Sequence, residues 1–304
     1  MSSRRDFIRD TALIGAGILA GGMGALQAGT KTRQLVILHT NDWHSRIEPF
    51  EMDGSRYQGQ GGAARRATLI STIRKENDNV LLLDSGDIFQ GTPYFNYYGG
   101  ELEYKLMTQM GYDCSTLGNH DFDAGLDGLL KQLPHAGFDI VCSNYDFSET
   151  ILKDRFKPYK IIKKGGIKTG IIGLGIELKG LVPDKLYGNT GYLDPVKEAN
   201  KWAAFLKKEK KCNMVICLSH LGYRYNSDKV SDILLAERSE HIDLILGGHT
   251  HTFMDSPGIV TNNTGNEVIV SQAGWAGLVL GRLDYSFDKS GNPSKPLSTM
   301  LKVS

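Results

Sequence analysis

The sequence lacks a surplus of either charge. Its 35 Lys+Arg against 34 Asp+Glu leave a formal net charge of +1 over 304 residues, so no field pulls it onto a polyanion and no nucleic-acid binding is expected. Proline is scarce, at 9 residues, and with 40% hydrophobic and 23% charged residues the composition is that of a folded globular chain rather than a disordered or collagen-like one. Cysteine is scarce as well. Cys114, Cys142, Cys212 and Cys217 form no C-x-x-C pair and three lie in apolar runs, which favours core packing over a disulfide framework. The chain has neither a Walker loop nor a nucleophile elbow. At this length one large domain or two ordinary ones can bury ~75% of the unfolded surface.

The first residues read as an address. Arg4-Arg5 precede an uncharged stretch from Thr11 to Ala28 rich in Gly and Ala, the pattern of a twin-arginine export signal. About 18 uncharged residues would just span a bilayer as an anchor. Gly15, Gly17, Gly21, Gly22 and Gly24 weaken that reading by lowering both helix propensity and hydrophobicity, and Ala25-Leu26-Gln27-Ala28 offers small residues for cleavage. The expected division is a signal segment over 1–28, one domain over 29–288, and a tail or linker over 289–304, where Gly291, Pro293 and Pro296 follow a last strand from Leu278 to Phe287. The expected location is the periplasm or outside the cell, with the twin-arginine translocase as a transient partner and a membrane tether if the signal stays uncleaved. That route carries folded cargo, which suits a protein that loads metal before export.

From Lys31 onward, apolar runs of strand length alternate with amphipathic stretches of helical length, the signature of stacked α and β layers. Five of these runs end in the same chemistry. Leu35–Leu38 leads to His39-Thr40-Asn41-Asp42-Trp43-His44, Val80–Leu83 to Asp84-Ser85-Gly86-Asp87, and Cys114–Leu117 to Gly118-Asn119-His120-Asp121. Met214–Leu218 leads to Ser219-His220 and Ile242–Leu246 to Gly247-Gly248-His249-Thr250-His251. Ligands of layered α/β folds bind beyond the carboxyl ends of strands, so five dispersed tips can form one site. An unpaired buried carboxylate or imidazole costs several kcal/mol, so such a cluster must be solvated, paired or holding metal.

Asp42 with His44 and His249 with His251 are i, i+2 pairs, which extended backbone would point to one side about 7 Å apart. That spacing fits two ions better than one. Oxygen and imidazole donors without thiolate argue for a catalytic site with open positions, not a closed structural zinc. Five of the eight histidines sit at these tips; His39, His135 and His241 keep the plain reading of structural histidines.

Taken together, Ile37–His44, Gly86–Thr92, Gly118–Asp123, Leu218–Gly222 and Gly248–His251 resemble the calcineurin-like metallophosphoesterases, and among them the catalytic domain of the 5′-nucleotidase family, over roughly Thr32 to Asp288. The resemblance implies a layered β-sandwich core flanked by helices, in four layers α/β/β/α. It implies two divalent ions, with Mn, Zn, Fe and Co equally suited to the donors. Asp42, His44, Asp87 and His251 would hold one ion; Asp87, Asn119, His220 and His249 the other, with the Asp87 carboxylate bridging. His120 would contact the phosphate and assist the leaving oxygen, oriented by Asp123, with Asn119 also facing substrate and a metal-bound hydroxide as nucleophile. The i, i+3 spacing of His120 and Asp123 suits a helix start. Asp84 reads as a supporting or backbone-capping group, and Asp121 as a helix-start carboxylate meeting the dipole.

Two-domain members of the family carry a C-terminal domain that clamps the nucleobase. Here the sequence stops at Ser304, so a separate clamp-domain polypeptide is a candidate partner. The aromatic segment Thr92–Tyr98 is either a substrate or partner surface or a packed helix start. The leading expectation is an exported phosphomonoesterase acting on nucleotides. Its alternatives are a phosphodiesterase for cyclic nucleotides or nucleotide sugars, a thiosulfonate hydrolase, and a non-catalytic half of a split protein.

Overall fold

The computed structural model describes residues 33–304; the signal segment expected over 1–28 lies outside them. Fourteen strands are described: β1 Arg33–Thr40, β2 Val80–Asp84, β3 Cys114–Ser115, β4 Asp139–Ile140, β5 Tyr145–Asp146, β6 Tyr159–Lys164, β7 Ile167–Leu174, β8 Gly191–Tyr192, β9 Met214–Ser219, β10 Leu244–Gly247, β11 Gly258–Thr261, β12 Glu267–Ser271, β13 Val279–Phe287 and β14 Leu297–Lys302. They form two six-stranded sheets, ordered β14-β13-β1-β2-β3-β4 and β11-β12-β10-β9-β7-β6, and a small pair β5-β8. Within the first sheet β1 to β4 run parallel, and within the second β7, β9, β10 and β12 do.

The period of two along each strand builds the layers. Leu35 and Ile37 of β1 and Leu81 and Leu83 of β2 meet Ile171, Ile216, Leu218, Leu244 and Leu246 in the core between the sheets. The intervening Val36, Leu38, Val80 and Leu82 face outward onto Ile70 and Ile73 of helix Ala63–Glu76 and Tyr104 and Met107 of helix Glu101–Met110. On the far side, Ile172, Val215, Cys217 and Ile245 pack against Ala199, Ala203 and Leu206 of helix Pro195–Lys208 and Leu235 and Ala236 of helix Asp232–Arg238. Strands buried on both faces must read as continuous apolar runs, and these do. The result is the expected α/β/β/α stack.

All four cysteines are buried and free. His39 belongs to the core between the sheets, its Nε2 3.2 Å from Ser271 Oγ, and burial lowers its pKa to about 4, so it is neutral. One expectation fails. Residues 289–304 are not a tail: β14 pairs antiparallel with β13 from Leu297↔Asp284 to Lys302↔Val279, and Val303 is buried in the outer core. Gly291 turns the chain at φ 87, so the Gly and Pro residues mark a hairpin connection followed by an edge strand.

Candidate metal centre

Every tip named above lies at the carboxyl end of a parallel strand. Two groups of donors assemble there: Asp42, His44 and His251, and Asp87, His220 and His249, each with its donor atoms within 4.8 Å of one another. The first sheet supplies Asp42, His44 and Asp87, the second the remaining three histidines, so each group spans both sheets. His251 Nε2 is 3.3 Å from Asp42 Oδ1 and 3.0 Å from His44 Nε2. His220 Nε2 is 3.0 Å from Asp87 Oδ2, and the same oxygen is 3.9 Å from His44 Nε2. Asp87 therefore faces both groups. Asn119 joins the second, with Oδ1 2.9 Å from His249 Nδ1.

The backbone at these tips is not extended, and here the spacing argument fails. Asp42, His44, Asp87, His249 and His251 all have positive φ, between 51 and 70. A left-handed conformation costs a non-glycine residue about 1–2 kcal/mol. Glycine would relieve that strain but has no donor to offer. In consequence Asp42 and His44 fall in one group, whereas His249 and His251 divide between the two.

Carbonyl contacts settle which imidazole nitrogens are free. His220 Nδ1 is 2.7 Å from the Ser85 carbonyl, and His44 Nδ1 is 3.3 and 3.2 Å from those of Phe89 and Gln90. A carbonyl only accepts, so Nδ1 carries hydrogen and Nε2 is left to face the site. His220 Nε2 is buried without a hydrogen-bond partner of good geometry. Burial alone would lower the His220 pKa, but Asp87 and Asp42 outweigh it and raise it to about 10. The two carboxylates that outweigh burial at His220 make this spot favourable to positive charge, which suits a cation. His249, by contrast, is lowered to about 4 by burial and by His220. Burial opposes ionisation of Asp87, yet His220 and His44 hold its carboxyl well below the usual range. Mixed oxygen and imidazole donors around orphaned lone pairs fit a pair of divalent ions.

His120 stands beside the groups in the turn His120–Phe122. Its Nδ1 is 2.8 Å from Asp123 Oδ2, and that hydrogen bond raises its pKa against the effect of burial. Its backbone N–H donates to Asp87 Oδ1 at 2.7 Å.

The supporting carboxylates are only partly legible in the sequence. Asp84 accepts from the Gly86 N–H and from Thr40 Oγ1, the capping role expected. Asp121 does not serve the dipole of its own turn. It is fully buried, and its oxygens accept the backbone N–H groups of Asp87, Ile88 and Gly118, clamping the Asp87 tip to the Asn119 tip. Asp232 is a buried supporting carboxylate that sequence reasoning misses. It accepts from Ser219 Oγ at 2.5 Å and from Gln272 Nε2 at 3.1 Å beneath His220, and a side chain at Gly247 would collide with it. Its only sequence signal is an acidic residue opening a helix, which is commonplace. The Thr92–Tyr98 segment forms helix Pro93–Tyr98, with Phe95 packed on Phe89 and Tyr97 and Tyr98 exposed.

The layered fold and its paired donor sets define the metallophosphoesterase architecture. The chain belongs to the calcineurin-like phosphoesterase family, which matches residues 35–253. It is 37% identical over 295 residues to the snake venom 5′-nucleotidase of Gloydius brevicauda, covering 89% of this chain and 48% of that protein. It is 33% identical to the 5′-nucleotidase of Vibrio cholerae, covering 91% and 54%. Among solved structures, the 5′-nucleotidase precursor of Thermus thermophilus superposes with a TM-score of 0.79 at 36% identity over 88% of this chain and 54% of that one. The chain thus spans about half the length of these relatives.

Proposed function

We propose that the chain is an exported phosphomonoesterase of 5′-nucleotidase type, hydrolysing nucleotides with two divalent ions. One observation carries the reading: two donor groups lie side by side at the strand tips, Asp87 of one 3.9 Å from His44 of the other, with His120 held beside them by Asp123. Asp42, His44, Asp87 and His251 are assigned to one ion, and Asp87, Asn119, His220 and His249 to the other. When bound, Mn, Zn, Fe or Co would supply Lewis acidity for the phosphoryl oxygens and acidify a water for attack on phosphorus. The chain's own residues do the remaining work. Asn119 presents an amide to the phosphoryl group, and His120, kept proton-rich by Asp123, bonds a phosphoryl oxygen and gives a proton to the departing ester oxygen.

The test is phosphate release by full-length protein, stripped of metal and reconstituted with each ion, from nucleoside monophosphates, cyclic nucleotides and nucleotide sugars, with and without a clamp-domain polypeptide. Release from monoesters supports the reading. Release from diesters alone overturns it in favour of a phosphodiesterase, and no release under any condition in favour of a non-catalytic half. Export rests on Arg4-Arg5 and the run Thr11–Ala28. Among the described residues no helix is long and apolar enough to cross a membrane. Substituting both arginines by lysine should leave the protein in the cytoplasm; unchanged export would refute the twin-arginine route.

A further inference from the structure

Two of the four imidazoles in the donor groups are anchored by backbone carbonyls, Ser85 for His220 and Phe89 and Gln90 for His44, and His249 Nδ1 lies 2.9 Å from Asn119 Oδ1. His251 differs. Among the described residues no hydrogen bond reaches its Nδ1, and its side chain is 38% exposed. Its ring instead lies parallel to the indole of Trp275, with centroids 5.5 Å apart and planes 4° from parallel. A flat aromatic face fixes the plane of a neighbouring ring without bonding either nitrogen.

Trp275 is itself held rigidly. Ala273 N–H donates to Asn41 Oδ1 at 2.8 Å, and Asn41 Nδ2 returns a bond to the Gly274 carbonyl at 2.6 Å. Ala276 N–H donates to the Asp42 carbonyl at 2.7 Å, and Gly274 N–H to that of Thr252 at 3.1 Å. The loop bearing Trp275 is therefore tied to the two segments that carry Asp42 and His251. On its other side Phe50 and Tyr57 meet the indole edge-on, at 5.8 and 6.5 Å.

We propose that Trp275 is a positioning residue for the outer ion, the one assigned to Asp42, His44, Asp87 and His251: its indole face replaces the missing hydrogen bond and sets the plane in which His251 Nε2 meets Asp42 and His44. The inference rests on the two-ion reading above. Losing an outer support of a ligand costs about 10–100-fold in metal affinity, so Trp275→Ala is expected to weaken one ion by that factor and leave the other unchanged. Trp275→Phe, which keeps a flat face, should restore most of it. Trp275→Leu, which fills space without a face, should not. The measurement is a cobalt titration of apo-protein, read by calorimetry and by visible absorption of the bound ion, with circular dichroism to confirm folding. In the wild type, cobalt at the outer position should quench Trp275 fluorescence, a signal that His251→Ala removes. Two unchanged affinities in Trp275→Ala, or equal rescue by leucine and phenylalanine, overturn the positioning role. A wild-type protein that never binds a second ion overturns the two-ion reading instead.

Discussion

The two donor groups are built from the same residue types but differ in depth. In the inner group Asp87 and His220 are almost wholly buried, and His220 hangs from the Ser85 carbonyl in the floor between the sheets. In the outer group Asp42 is equally buried, but the His251 side chain is over a third exposed and its ring stacks on Trp275 with no hydrogen bond to Nδ1. Burial and hydrogen bonds hold ligands at little entropic cost, whereas an exposed imidazole must be ordered when the ion arrives. If both groups hold ions, the inner one is expected to be retained and the outer one to exchange first.

The largest test removes the carboxylate that faces both groups. Asp87→Asn is expected to lower phosphate release by roughly 10³-fold or more, since a neutral amide no longer offsets two dications; metal analysis after dialysis should show both ions depleted, and full retention of both would erase the argument. Next comes the contrast itself. His220→Ala should cost ~10²–10³-fold and empty the inner position, while His251→Ala should cost ~10-fold and lose only the ion that dialyses first; equal losses would make the groups equivalent. His120→Asn should reduce turnover by about 10²-fold with both ions retained, which places His120 outside either group. Metal depletion would show as altered ligation there.

Chelation should destabilise the fold, because each ion ties one sheet to the other. At an ion concentration a hundred times its dissociation constant the stabilisation is about 2.7 kcal/mol per ion, so thermal unfolding with and without chelator should differ more for wild type than for His251→Ala. The last test lies in the core between the sheets and leaves activity aside. His39 has a folded pKa of about 4 against its ordinary value of 6.5, so the unfolded state binds more protons between those values. Its contribution is present above about pH 6.5 and is lost as pH falls toward 4, at up to about 3 kcal/mol. His39→Gln, measured in chelator, should flatten that part of the stability curve.

Much of this is legible in the sequence because it is encoded locally. Alternating apolar positions such as Leu35 and Ile37 against Val36 and Leu38 announce a strand buried on both faces, and donors placed just past such strands announce a site. The strand lengths are less legible: β3 has two residues and β10 begins at Leu244, since backbone pairing and not hydrophobicity ends a strand. β14 is hidden because Leu297, Met300 and Leu301 make no period of two on an edge strand, behind a turn that looks like a terminus. Asp121 and Asp232 look like ordinary helix-start acids until the chain folds, and then they carry the loops that hold Asp87 and His220.

The sequence alone determined that α and β layers stack, the five donor-bearing tips and the family, because each depends on residues near one another along the chain or on a pattern repeated along it. Only the tertiary structure decided that five of the donors take left-handed backbone, that Asp121 clamps two tips together, and that His251 lies parallel to the Trp275 indole. Those outcomes depend on how two sheets approach through space, where the cost of strain is met by packing far from the residue that bears it.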